Sequence, residues 1–198
     1  MTRIATDSTL NDGCKVWRPG SDEPDPITTL TEFEKAYLAG LTDGEGNISV
    51  KPVGPKHLTV YPVFFMGTTD RELMRYLCIR LQAGRLVIHN TSAMKKHPAW
   101  KPQYQFQLFG KRAKRLCVAL LPYLRTKRPQ AELVLKFPLE NTMQGPGNFL
   151  SPEVNNIRLK LCNEMHMLNA KTSDKGGWLS SPNRKRWILP EIRERPHG

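Results

Sequence analysis

The chain has 198 residues, 39% of them hydrophobic and 24% charged, enough for one compact core and too few for two full enzyme domains. No apolar run approaches the roughly 18 residues of a membrane span, and Met1-Thr2-Arg3-Ile4 leads into polar and acidic residues without the apolar stretch of a secretory signal. The net charge of +12 is uneven: residues 1–30 carry −2, residues 31–140 carry +10 and residues 141–198 carry +4, so the excess belongs to the folded middle and predicts a polyanionic partner.

Residues 1–28, acidic and broken by Pro24 and Pro26, read as a flexible arm. Thr31-Glu32-Phe33-Glu34 has capping-box spacing and opens a helix through Phe33, Ala36, Tyr37, Gly40 and Leu41 that ends at Gly44 and Gly46. The period then changes from about 3.6 to 2. Residues 47–51 and 57–65 form a hairpin turning at Gly54-Pro55. Thr69-Asp70-Arg71-Glu72 is a second capping box, starting a helix with Leu73, Tyr76, Leu77 and Leu81 on one face and Gly84 at its end. Residues 85–89 and 103–108 form a second strand pair around a long basic loop. Helices follow over 111–121, 129–139 and, from the Ser151-Pro152 start, to about residue 169. Before the last helix, the core order is α-β-β-α-β-β-α-α, closed by the helices over 111–121 and 129–139, and it contains two successive α-β-β units. Cys14, Cys78, Cys117 and Cys162 are far apart, with neither C-x-x-C nor metal-ligand spacing, and read as reduced thiols.

Strand alternation puts Asn47, Ser49, Lys51, His57, Thr59, Tyr61, Arg85, His89, Gln103, Gln105 and Gln107 on one sheet face, and Ile48, Val50, Leu58, Val60, Leu86, Ile88, Tyr104, Phe106 and Leu108 on the other. Any antiparallel sheet can show water one face. This face, however, has no acid among those positions and is rich in Gln, Asn, Arg and His, which hydrogen-bond base edges. With no long basic amphipathic helix bearing aromatic anchors, nucleic acid is the expected partner, not a membrane surface.

The stretch Leu38-Ala39-Gly40-Leu41-Thr42-Asp43-Gly44-Glu45-Gly46 concentrates the chemistry. Ala36, Gly40 and Gly44 stand four apart, so one helix side lacks bulk and admits another helix backbone. Asp43 and Glu45 stand at the negative end of the helix dipole, where a cation would relieve them; a glycine cap with surface acids is the plainer alternative.

This stretch resembles the signature of the LAGLIDADG homing endonucleases, fitting eight of nine positions, with Thr42 at a tolerant one. A second segment agrees: residues 122–136, with Pro122, Tyr123, Leu124, Lys127, Gln130 and Ala131, resemble the Pro-aromatic-Leu-x-x-Lys-x-x-Gln-Ala stretch of single-motif members. The likeness spans residues 29–140; residues 141–170 are expected as a helix packed on that core, and 171–198 as a basic extension. The resemblance implies an α+β αββαββα core with a saddle-shaped antiparallel sheet over the major groove. It further implies a homodimer joined through Ala36, Leu38, Ala39, Gly40 and Leu41, and a near-palindromic double-stranded DNA target cut on both strands across the minor groove to leave 3′ overhangs.

Residue by residue, the resemblance makes Glu45 the metal-binding acid, the Gly44 carbonyl a further ligand and Lys127 the basic group beside the scissile phosphate. Asp43 matches the other acidic position of the catalytic group, one that more often supports the helix end than the metal. The implied cofactor is Mg²⁺ or another divalent cation such as Mn²⁺. One departure stands out: a gapless reading puts Met66 where the family often has a polar residue that organises active-site water. Two other readings share the scaffold, an intron RNA maturase and a DNA-binding regulator that does not cut. The expected setting is intracellular, in a bacterial or phage-infected cytoplasm or an organelle with its own genome. In residues 171–198, Trp178, Trp187 and Arg184-Lys185-Arg186 fit either a phosphate-contacting arm or a helix pinned to its domain.

Overall fold

Thr31 opens the first helix with a complete capping box in the computed structural model: its hydroxyl oxygen accepts the Glu34 N–H at 3.2 Å, and the Glu34 carboxylate accepts the Thr31 N–H at 2.8 Å. The structure describes residues 16–20, 22–53, 59–89, 101–139 and 152–169. Helix α1 (Glu32–Glu45) runs without a loop into β1 (Gly46–Val53). It is followed by β2 (Thr59–Thr68), α2 (Arg71–Leu81), β3 (Arg85–His89), β4 (Gln103–Phe109), α3 (Gly110–Leu120), α4 (Arg128–Leu135) and α5 (Pro152–Asn169). This is the α+β order read from the sequence. The cap of α2 is Asp70, one residue later than the capping-box spacing suggests, because its carboxylate accepts the Leu73 N–H at 3.0 Å.

The four strands are antiparallel in the order β1-β2-β4-β3. The second strand of each hairpin therefore lies at the centre, and the two α-β-β units meet along the β2–β4 seam, where Val63 opposes Phe109 and Gly67 opposes Gln105. Even-numbered strand residues Ile48, Val50, Phe64, Met66, Phe106 and Leu108 are buried on one face, against Leu38, Ala39, Met74, Leu77, Leu116 and Leu120 of the helices. Each such side chain stabilises the fold by about 1.5–3 kcal/mol on burial. Between α2 and β3 the chain turns at Gly84, with φ +83°; a Cβ there would stand 2.7 Å from both the Gln107 carbonyl oxygen and the Phe106 ring. Only glycine lets β3 start that close to β4.

Helix α5 packs against β1, β2 and α4 through Leu161 and Met165. Its buried Arg158 donates to the Pro138 carbonyl at 3.0 and 3.2 Å and stacks over Phe137. Among the described residues no helix is long and apolar enough to cross a membrane.

The expectation of a flexible arm over residues 1–28 fails for its described part. Asp25, Pro26 and Ile27 are buried. The Asp25 carboxylate takes one guanidinium from Arg112 at 3.0 Å and another from Arg115 at 2.5 Å. Trp17 donates its backbone N–H to the Gln82 carbonyl and its indole N–H to the Glu23 carbonyl, and its ring lies under Arg112, while Arg80 donates to the carbonyls of Pro26 and Thr29. The acids and prolines that suggest disorder locally are fastened by arginines more than 50 residues away in sequence.

Two measurements test this account. Asp25→Ala leaves the Arg112 guanidinium without its carboxylate and should cost about 3 kcal/mol in urea unfolding; a loss below a few tenths would show that the strap is not fastened there. Glu34 is held at about 2, below its ordinary 4.5, by its hydrogen bond with Arg80 and by the Thr31 N–H, against a smaller opposing effect of burial. A depressed carboxylate pKa gives stability that is fully present above pH 4.5 and is lost as pH falls toward 2. The melting temperature of Glu34→Gln should therefore fall less steeply than that of the parent across that window.

Candidate functional site

The junction between α1 and β1 fixes where the signature acids stand. Thr42 is fully buried and donates its hydroxyl to the Leu38 carbonyl at 2.6 Å; its own carbonyl accepts the Gly46 N–H. A Cβ on Gly46 would lie 2.7 Å from the Thr42 carbonyl oxygen and 2.8 Å from its Cα, both backbone atoms. Glycine is thus required for the helix to pass directly into the strand, with Glu45 as the last helical residue.

Asp43 is a latch. Its carboxylate accepts the Arg125 N–H at 2.8 Å, the Lys127 N–H at 2.9 Å and the Thr126 hydroxyl at 2.9 Å, so it orders the loop that leads into α4. Partial burial pushes the Asp43 pKa up, but the Arg125 and Lys127 N–H groups and Thr126 together outweigh it and leave the carboxyl below its ordinary value. The Lys127 ammonium donates to the Asp43 carbonyl at 2.8 Å, placing a cation at the negative end of the α1 dipole. With both carboxylate oxygens committed to the protein, Asp43 is a positioning group.

Glu45 is exposed and makes no hydrogen bond or ion pair among the described residues; Gly44 beside it is also exposed. No cluster of three or more metal-ligating side chains occurs among the described residues. One chain therefore offers a single uncommitted carboxylate and a helix-end carbonyl. That partial set fits a hard divalent ion that completes its shell with water, phosphate oxygens and a carboxylate from elsewhere. Met66, at the position where the resemblance implies a water-organising polar residue, is 2% exposed and faces the core.

The odd-numbered strand residues form the sheet face away from the core. The register aligns Asn47, Phe65, Gln107 and Arg85 across all four strands, Ser49 with Val63 and Phe109, and Lys51 with Tyr61. Asn47, Arg85 and Gln103 are exposed, and Ser49, Lys51, Tyr61 and Gln105 are half-buried. Thr59 and His89 hold register positions opposite Val53 and Gln103; His57 lies outside the described residues. The expectation of a face polar throughout is corrected in two ways. Gln107 is buried, accepting from Arg85 Nε at 2.9 Å and donating to Gln105. The face also carries Val63 and Val87, buried outside the main core cluster, and the edge-to-face pair Phe65–Phe109 with ring centroids 5.6 Å apart. Lys51 rests 4.0 Å over Phe65 and Arg85 5.4 Å over Phe109. The signal was present in the unbroken apolar run Val63-Phe64-Phe65-Met66, which no one-sided strand requires.

The expected helix contact surface is corrected too. Leu38 and Ala39 are buried in the chain's own core, and Leu41 packs partly against it. The outward side of α1 instead presents Phe33 (82% exposed), Ala36, Tyr37, Gly40 and Gly44.

Asp43→Ala leaves the loop N–H groups unpaired and should cost about 1–3 kcal/mol while loosening residues 125–127, read as faster amide exchange there. Gly46→Ala should cost at least as much, because the clash is with backbone. A fully stable Gly46→Ala protein would refute the junction geometry.

No family model matches the sequence, and no curated protein is detectably similar to it. Among solved structures, the chain is similar to the homing endonuclease I-CvuI in complex with its target (Sro1.3) in the presence of 2 mM Ca, at 21% identity over 71% of this chain and 85% of that one, with a TM-score of 0.56. A second structure of I-CvuI, on the I-CreI target (C1221) with 2 mM Mg and the DNA not cleaved, gives 22% identity, 72% and 85% coverage and a TM-score of 0.55. The archaeal intron-encoded homing endonuclease I-Vdi141I complexed with DNA gives 19%, 71%, 86% and 0.50. The chain has the LAGLIDADG homing endonuclease fold.

Proposed function

We propose that this protein is a site-specific endonuclease that hydrolyses both strands of a near-palindromic DNA target as a homodimer, with a divalent cation held by Glu45 and the Gly44 carbonyl. The observation that carries this reading is the uncommitted Glu45 carboxylate, delivered by a glycine-dependent helix–strand junction and flanked by an Asp43–Lys127 latch. The structural neighbours are homing endonucleases on DNA, which supports the choice of substrate, and the two I-CvuI structures in the presence of Ca or Mg support the choice of ion. So does the charge of +10 over residues 31–140. A DNA substrate places the protein inside a cell, bacterial, phage-infected or organellar.

The chain's own residues divide the work. Glu45 holds the ion, Mg²⁺ or Mn²⁺, which when bound would polarise the scissile phosphate and lower the pKa of attacking water. Asp43 holds the loop that carries Lys127, and Lys127 brings positive charge toward the phosphate. The sheet face, through Asn47, Ser49, Lys51, Tyr61, Arg85, Gln103 and Gln105, supplies contacts in the major groove, with Thr59, His89 and His57 extending the row.

Because each chain carries one uncommitted signature carboxylate, two are brought together most simply by packing two copies of α1 about a two-fold axis. The outward side of α1 suits this. A Cβ on Gly40 or Gly44 meets no atom within 4 Å in the monomer, and the exposed Phe33 and Tyr37 flank the slim stripe. Ala36, Gly40 and Gly44 then permit close backbone approach.

Purified protein with Mg²⁺ and a random duplex library should yield discrete double-strand cuts. Glu45→Gln should abolish cutting while retaining binding; undiminished cleavage by that variant would reject the site. Gly40 is exposed and a Cβ there meets no atom within 4 Å, so Gly40→Leu should leave the monomer's melting temperature at or above that of the parent. It should sediment as a monomer and lose cleavage. A cleaving dimer of Gly40→Leu would refute the proposed interface.

A further inference from the structure

Three side chains on the outer sheet face form a fixed unit. Gly84 allows β3 to start against β4, which puts Arg85 opposite Gln107 in register. Arg85 Nε donates to Gln107 Oε1 at 2.9 Å, and its guanidinium lies 5.4 Å over the Phe109 ring. Gln107 in turn donates its amide N–H to Gln105 Oε1, which settles which end of the Gln107 amide faces Arg85. Gln107 is only 7% exposed, with its oxygen and its nitrogen each engaged by a neighbouring side chain, so burial withdraws it from a base edge.

Arg85 differs. It is exposed, and its two terminal nitrogens have no hydrogen-bond partner among the described residues. A planar fork with Nε anchored and one side resting on an aromatic ring has lost most of its rotameric freedom before any ligand arrives. The remaining pair of donors, side by side on an exposed residue, matches the O6 and N7 acceptors that guanine alone presents in the major groove.

We infer that Arg85 is a pre-organised guanine reader that fixes one base pair in each half of the target, and that Gln107 and Phe109 are its positioning residues. This rests on the endonuclease reading for the ligand, duplex DNA approached through its major groove, and for the two-fold symmetry that gives one such base pair per half-site. It assigns Gln107 to holding Arg85 and not to recognising adenine, the partner its residue type alone would suggest.

The test is selection from a random duplex pool by the full-length protein, in parallel with Arg85→Ala, Arg85→Lys, Gln107→Leu and Gln107→Glu. The wild type should enrich a motif with one guanine per half-site that relaxes in Arg85→Ala and Arg85→Lys while the other positions persist. Gln107→Leu should relax the same position, and Gln107→Glu, which keeps an acceptor for Nε, should restore it. Replacing that guanine by 7-deazaguanine should weaken wild-type binding about tenfold and leave Arg85→Ala binding unchanged. Arg85→Lys should retain the salt slope.

Uniform weakening across all sequences in Arg85→Ala, with a salt slope reduced by about one, would make Arg85 a phosphate contact and overturn the inference. A motif indifferent to Arg85 would also overturn it while leaving the endonuclease reading intact. Failure of the wild type to enrich any duplex would bring down both. Because Arg85 is exposed, its variants keep the test decisive even where a Gln107 variant folds poorly.

Discussion

The carboxylate of Asp43 ties the end of α1 to a loop more than 80 residues further along the chain. Three donors from residues 125–127 converge on it, and the lysine among them returns its ammonium to the Asp43 carbonyl. A helix end with orphan carbonyls and a loop with orphan N–H groups thereby satisfy one another. Everything near Glu45 depends on this exchange. It orients the last turn of the helix, it delivers Lys127, and it uses up one acid so that the other stays uncommitted. Two acids separated by a single residue thus differ wholly in their contacts, Asp43 held by three donors and Glu45 exposed.

The same frugality governs the sheet. Its inner face is built from even-numbered residues that the helices cover, and its outer face combines exposed polar groups with an apolar patch under two cations. The patch is more than filler. Phe65 and Phe109 hold Lys51 and Arg85 by their rings, and burial pushes the Lys51 ammonium below its ordinary pKa. Long basic side chains on an exposed surface ordinarily sample many rotamers, and fixing them on aromatic supports removes part of the ordering cost of binding.

Much of this was legible in the sequence, for reasons that differ by element. The start of α1 was readable because a capping box is a contact between residues three apart. The sheet faces were readable because alternation is a property of the strand itself, and the register keeps it. The α2 start moved by one residue because Thr69 and Asp70 are both competent caps and only the hydrogen bond to Leu73 decides between them. The N-terminal strap was illegible: Asp25 finds Arg112 and Arg115 through the tertiary fold, and nothing within its own neighbourhood announces them. Leu38 and Ala39 illustrate a related limit. A motif marks a helix as special without saying which of its sides the monomer consumes.

The double-sided covering of β2 has a dynamic consequence. Pro62, Val63, Phe64 and Met66 are buried, with Phe65 half-buried among them, toward the helices on one side and among the outer-face side chains on the other, at the centre of the sheet. The amides of such a strand become accessible to solvent deuterium only when the whole domain opens. The segment at residues 125–127 hangs largely on one carboxylate and can breathe without disturbing that strand. The strand at the centre of the sheet and the loop beside the exposed glutamate are thus secured by separate contacts, so releasing the loop would draw little on the stability that holds the fold together.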